Sequence, residues 1–295
     1  MTMKNWIRTA LVLLILGIAG GLFSFRLDDW RASSVSKEEM VQASDVRQIR
    51  ILMTGENIRV VKGQGDHMKL RMEGRASKHF LDDALLQTRR EGDTLVVAGT
   101  EKKFGIGFRF ISLTLTVELP AKQWDALTVN TDSGDIELTD IEAGALTVQS
   151  DSGDALIAGV KAGQLQVKTD SGDIRLDGVD GNTVMETDSG DVEVTAKDLL
   201  YDTTVKTDSG DVKVSLADKP SSLQLQFRTD SGDREVEWLE KRERPTEPTD
   251  GSGSRSSLES SLPPLPPLGE VILFGSGHHK LWVETDSGDF ELGHK

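Results

Sequence analysis

The sequence predicts an all-β protein: a parallel β-solenoid of about 19–20 residues per coil, preceded by an N-terminal transmembrane helix. Three observations carry this. The tetrapeptide Asp-Ser-Gly-Asp occurs seven times, starting at Asp132, Asp151, Asp170, Asp188, Asp208, Asp230 and Asp286, and the first six copies lie 18 to 22 residues apart. Fixed apolar columns flank each copy. An uncharged apolar run stands near the N-terminus.

That run extends from Thr9 to Phe25, with Lys4 and Arg8 before it and Trp6 and Trp30 around it. Its 17 residues are at the short end for a membrane span, and aromatic flanks suit the interface. Residues 1–30 are therefore read as an anchor. The positive N-terminal side faces the cytoplasm and the body is exported, so the expected place is the plasma membrane, single-pass, with the C-terminal part extracytoplasmic. A cleaved signal peptide is the alternative, with Ala19-Gly20-Gly21 offering small residues for cleavage. Residues 31–44 are polar without a clear period and read as a tether.

Residues 45–125 form an N-terminal β region. Ile49, Ile51 and Met53 alternate with polar residues, as do Ile58 and Val60, Met68 to Met72, and Leu95 and Val97. Ile111, Leu113, Leu115, Val117 and Leu119 share one face of the clearest strand. Turns are expected at Thr54–Asn57, Gly63–Asp66 and Glu91–Asp93, and a short helical stretch at Ser77–Gln87.

Residues 126–295 form the repeat solenoid. Five residues before each tetrapeptide stand Leu127, Leu146, Leu165, Thr183, Thr203, Leu225 and Leu281, and the position just before it is Thr or Ser. Each unit reads strand, turn, strand, turn with one apolar face per strand. One such unit cannot bury that face alone, but stacked units can, about 4.8 Å apart. A propeller would need two repeats per blade. Between the sixth and seventh copies the spacing jumps to 56. A Pro- and Ser-rich insertion at about 241–269 accounts for this and reads as a solvated loop. The chain then returns at Val271–Phe274 to make the last coil.

Within the tetrapeptide, Gly is expected to supply a left-handed turn, Asp and Ser to bond nearby amides, and the preceding Thr to face inward with its hydroxyl in a ladder. Stacked copies also place carboxylates close together. Asp132, Asp135, Asp151, Asp154, Asp170, Asp173, Asp188, Asp191, Asp208 and Asp211 are thus candidate calcium ligands, the alternative reading being a calcium-stabilised adhesive module. The Asp-Ser-Gly turn of aspartic proteases needs two facing carboxylates, which parallel copies on one edge do not supply. A glycan-cleaving β-helix is a weaker alternative, since the chain holds only five Trp and one Tyr. No catalytic residues, cofactor or metal-binding motif are assigned, and His278, His279 and His294 read as surface residues.

The net charge of −15 argues against a nucleic-acid partner, and the absence of cysteine removes disulfides and thiolate chemistry. With 37% hydrophobic residues the chain can bury a core.

An N-terminal anchor, a β region ending in Val117-Glu-Leu-Pro120, and repeated Leu-x-Val-x-Thr-Asp-Ser-Gly-Asp-Ile-x-Leu resemble the bacterial putative-adhesin family (domain of unknown function 4097) over about residues 45–295. The layout and length are most similar to membrane-anchored members encoded with cell-envelope stress genes. The resemblance implies a non-enzymatic β-solenoid facing outward from the plasma membrane. Its implied role is interaction or sensing, with cell-wall components or other envelope proteins as partners. It implies no catalytic residues.

Overall fold

The computed structural model describes residues 32–77, 86–99, 111–238 and 271–295, and among them every regular element is a strand. The expected anchor at 1–30, most of the expected helical stretch and the insertion at 241–269 lie outside the described residues. The N-terminal part comprises β1 (Ala32–Gln42), β2 (Gln48–Leu52), β3 (Asn57–Lys62), β4 (His67–Ser77), β5 (Leu86–Glu91), β6 (Thr94–Gly99) and β7 (Ile111–Leu119). Each tetrapeptide then joins two strands. The first five units are β8 (Trp124–Thr131) and β9 (Ile136–Thr139), β10 (Glu142–Ser150) and β11 (Ala155–Ala158), β12 (Lys161–Thr169) and β13 (Ile174–Asp177), β14 (Asp180–Thr187) and β15 (Val192–Ala196), and β16 (Thr203–Ser209) and β17 (Val212–Leu216). The sixth is β18 (Ser222–Ser231) and β19 (Arg234–Val236). After β20 (Val271–Gly275) comes the seventh, β21 (His279–Ser287) and β22 (Phe290–His294).

Two 11-stranded sheets result, and each unit gives one strand to each. One sheet runs β1-β4-β7-β3-β9-β11-β13-β15-β17-β22-β19 and the other β20-β18-β21-β16-β14-β12-β10-β8-β2-β6-β5. Strands within the stack are parallel and in register, with Leu127 beside Leu146 and Leu146 beside Leu165. Because every second residue points inward, the apolar columns meet between the sheets as one continuous core. Leu127, Val129, Val148 and Val167 are fully buried in it.

The N-terminal β region is part of this stack rather than a separate unit. Ile49 and Ile51 pair with Leu127 and Val129, and Ile58 and Val60 with Ile136 and Leu138. β2 and β3 are thus a first coil without the tetrapeptide. Antiparallel pairing is confined to the ends, where β4 lies between β1 and β7, β5 flanks β6, and β20 flanks β18.

Three expectations are corrected. Residues 32–42, read as a tether, form β1, which pairs with β4 along its whole length. Among its described side chains Val35 is the one buried apolar residue, so backbone pairing holds this edge strand without any apolar period. Val271–Phe274 does not begin a last coil but forms an antiparallel strand on β18. The seventh unit is not last in space: β21 lies between β16 and β18, and β22 between β17 and β19. Its inward residues Val283, Phe290 and Leu292 continue the columns of Val205, Val212 and Val214, whereas the sixth copy breaks one of them with Arg234 and lies at the end.

Candidate functional site

The tetrapeptides line one edge of the solenoid, and the residues around them divide into three columns with different tasks. The column just before the tetrapeptide faces inward. Thr169 is fully buried, accepts from the Gly172 amide at 3.1 Å and donates to the Gly153 carbonyl at 3.2 Å. Thr187 repeats both bonds with Gly190 and Gly172. A β-branched side chain suits the strand, and its hydroxyl satisfies polar backbone that would otherwise be costly to bury.

The glycine column was expected to supply a left-handed backbone, and this is corrected. Six of its seven members, Gly134, Gly153, Gly172, Gly190, Gly210 and Gly288, have no positive φ in the strained range, and the seventh, Gly232 of the end coil, has φ 157°. Their requirement is close approach. A Cβ on Gly172 would lie 2.1 Å from the Gly153 carbonyl oxygen, and one on Gly288 would lie 2.0 Å from that of Gly210. The left-handed residues sit at the opposite corner instead, where Asp140 (φ 57°), Gly159 (φ 63°) and Gly178 (φ 61°) occupy equivalent positions.

The last Asp of each tetrapeptide forms a ladder. The Asn57 side-chain oxygen accepts from the Asp135 amide at 3.1 Å, and Asp135 accepts from Asp154 at 3.2 Å. Asp154 accepts from Asp173 at 2.9 Å, Asp173 from Asp191 at 3.1 Å and Asp191 from Asp211 at 2.9 Å. Asp211 then accepts from Asp289, and Asp289 from Asp233, at 2.9 and 2.8 Å. Each carboxylate thereby fixes the amide of the next coil, and the order passes from fifth to seventh to sixth copy.

The first Asp of each tetrapeptide has another environment. Asp132, Asp151, Asp170, Asp188 and Asp208 are exposed, and their carboxylates make no hydrogen bond or ion pair among the described residues. Their backbone carbonyls carry the turn; the Asp132 and Asp151 carbonyls accept from the Ser152 and Ser171 amides, both at 3.1 Å. The ten candidate calcium ligands therefore share one edge in two columns, one committed to amides and one solvated. Among the described residues no three Asp, Glu or His side chains converge to hold a metal ion.

Sequence reasoning missed three features. Thr54–Asn57 was read as a turn, but it is a corner of the same kind, with Asn57 in the ladder and Glu56 accepting from the Thr54 and Gly55 amides at 3.2 and 3.1 Å. The nine-residue step from Ile49 to Ile58, equal to that from Leu127 to Ile136, was the available signal. The second is a clamp where the chain crosses over β18. The Ser222 hydroxyl accepts from the His278 amide at 2.9 Å and lies 2.7 Å from the Ser276 hydroxyl. The third is Lys122, which donates to the Ala43 and Val46 carbonyls at 2.9 and 2.6 Å and lies 4.1 Å from the Trp124 ring centre. Burial pushes the Lys122 ammonium below its ordinary pKa, against the pull of Asp125 and Asp45. On the outer face, Lys213 and Glu291 pair at 2.9 Å, and that hydrogen bond and charge hold Lys213 above its ordinary pKa.

The family model described as Toastrack DUF4097 matches residues 46–196 and 138–260, which together span 46–260 of the 295 residues. No curated protein matches the chain. Similar solved structures include a "putative adhesin" from Bacteroides fragilis, at 13% identity and TM-score 0.44, covering 88% of this chain and 96% of that one. A "putative lipid binding protein" from Parabacteroides distasonis matches at 12% identity and TM-score 0.42, covering 88% and 97%. A "putative cell adhesion protein" from Clostridium sporogenes matches at 11% identity and TM-score 0.32, covering 89% and 100%.

Proposed function

The chain belongs to the Toastrack DUF4097 family, and from that premise we propose that it is a non-enzymatic interaction scaffold, anchored in the plasma membrane with its β-solenoid on the outer side. The observation that carries this reading is the Asn57–Asp233 ladder. Its carboxylates are engaged in fixing amides from coil to coil, so the most repeated acidic group of the chain serves rigidity. A rigid stack with long, regular outer faces suits recognition of extended partners. One such face carries alternating charge, with Arg59 paired to Glu137 at 2.8 Å, Arg175 to Glu193 at 3.7 Å and Lys213 to Glu291 at 2.9 Å.

The anchor rests on the uncharged run Thr9–Phe25 and its flanking charges. Cell-wall polymers and envelope proteins are the partners such a position offers, and a response to envelope stress is the process this placement serves. Protease added to intact cells tests the arrangement. The body is expected to be cut before lysis; a body protected until lysis overturns it.

A further inference from the structure

The outer faces of the two sheets differ. The face with Arg59, Glu137, Arg175 and Lys213 is lined with alternating charge. On the other face the register sets Gln166, Val184, Thr204, Trp282 and Gln226 side by side, one per strand and none charged. Trp282 stands inside this row because the seventh copy lies between the fifth and the sixth. Its ring is 41% exposed. Beside it is an open hollow of about 250 Å³. The Thr204 hydroxyl, the Gln226 amide and the Lys206 and Lys280 ammonium groups line this hollow, and none of the four side chains makes a hydrogen bond or ion pair among the described residues. Asp202 and Glu284 line it too. Asp202 Oδ1 accepts from the Lys280 amide at 2.9 Å and Glu284 Oε1 from Arg228 at 3.3 Å, which leaves the second oxygen of each carboxylate open.

We propose that the Trp282 hollow binds a neutral, β-linked pyranose chain, with the indole against the C–H face of one sugar and Thr204 and Gln226 on its hydroxyls. The proposal rests on the scaffold reading above and names one partner class for it. A pyranose presents a flat C–H face and a rim of hydroxyls that donate and accept. A flat ring beside unspent donors and acceptors matches both. The two ammonium groups and two carboxylates balance, so the hollow offers no net charge to an ionic ligand. Strands repeat about every 4.8 Å, so a chain laid along the row meets a new side chain at each one. A protein partner would need an apolar centre of several side chains. The other exposed apolar residues of the row, Val184 and Val271, each stand two strands from the ring. β21 is paired on both edges, so no backbone there is open to an added strand.

Calorimetric titration of the full-length chain, in a detergent that carries no sugar, tests it with the β-1,4-linked glucose hexamer and its N-acetylglucosamine counterpart. At least one is expected to bind with a dissociation constant of about 1 mM or below. Trp282→Ala should weaken that binding about tenfold or more at unchanged melting temperature, and Trp282→Phe should weaken it less. Leu156→Ala, at an exposed apolar residue on the outer face of the other sheet, should leave it unchanged. No binding of either hexamer up to about 10 mM overturns the proposal. So does binding that Trp282→Ala retains in full. The hexamer recovered after titration separates the two readings: an intact hexamer supports the scaffold, whereas a shortened one overturns the non-enzymatic reading and leaves the site standing.

Discussion

The Asp289 amide donates to the Asp211 carboxylate at 2.9 Å across 78 residues of chain, while the Asp289 carboxylate accepts from Asp233 at 2.8 Å. The seventh repeat is thus bonded on both sides as if it were the sixth. One adjustment marks the place. The Gly288 amide donates to the Ser231 carbonyl at 3.1 Å, and the buried Thr285 hydroxyl is left without a partner.

The ladder needs an acceptor at its Asp position, and Asn57 already fills that role without charge. Asp154→Ala should therefore destabilise the fold by about 1–2 kcal/mol, and Asp154→Asn by a fraction of that. Urea midpoints at constant m-value check this. Equal losses for the two variants would remove the hydrogen bond from the explanation.

Glycine serves opposite purposes at the two corners. Gly172→Ala drives a Cβ against backbone 2.1 Å away and should cost more than about 3 kcal/mol. Gly178→Ala meets nothing within 4 Å and should cost about 1 kcal/mol for its left-handed φ. Gly178→Asp should cost less still, because Asp140 holds the equivalent place. Thermal melts of the three variants rank them.

The first Asp of each copy is solvated and stacked roughly 4.8 Å from its neighbours. Like charges so placed repel by a few tenths of a kcal/mol. Asp170→Asn should then raise the melting temperature slightly, and calcium should act only as a general salt. A calcium-specific rise that Asp170→Asn abolishes would instead identify a bound cation.

Two lysines set opposite alkaline trends. Lys213 has a raised pKa, so its contribution is present below 10.5 and is lost as pH climbs through the folded value. Lys122 has a lowered pKa because of burial, so the unfolded chain binds its proton more tightly. Stability from this group rises with pH between the folded value and 10.5. Melting temperatures from pH 8 to about 11 should fall less steeply for Lys213→Met than for wild type, and more steeply for Lys122→Met.

The repeat columns made the stacked architecture legible, because inward Leu and Val recur at a constant distance from a constant corner. The stacking order was missed. Before the tetrapeptide the sixth and seventh copies are interchangeable, Leu225 for Leu281 and Phe227 for Val283; the available signal was the position after it, where Arg234 breaks the inward column that Phe290 keeps and so marks the sixth copy as the end coil. The role of glycine was misread because a carbonyl approaching from another coil leaves no trace in the turn's own sequence. β1 was missed because one buried residue, Val35, makes no period. The acidic residues of the repeat stack along one edge, but their division into bonded and solvated columns depends on which carboxylate reaches the next amide.

The central claim is one continuous stack in which the seventh copy lies between the fifth and sixth, and disulfide trapping tests it most directly. The chain has no cysteine of its own. Lys213 is in register with Glu291, and Glu291 with Glu235, so Lys213 and Glu235 stand two strands apart, about 9.6 Å. A Lys213→Cys, Glu291→Cys variant should oxidise readily to an intramolecular disulfide, while Lys213→Cys, Glu235→Cys should not, since Cα atoms beyond about 7 Å cannot be bridged. Ready bridging of the second pair and none of the first would contradict the account.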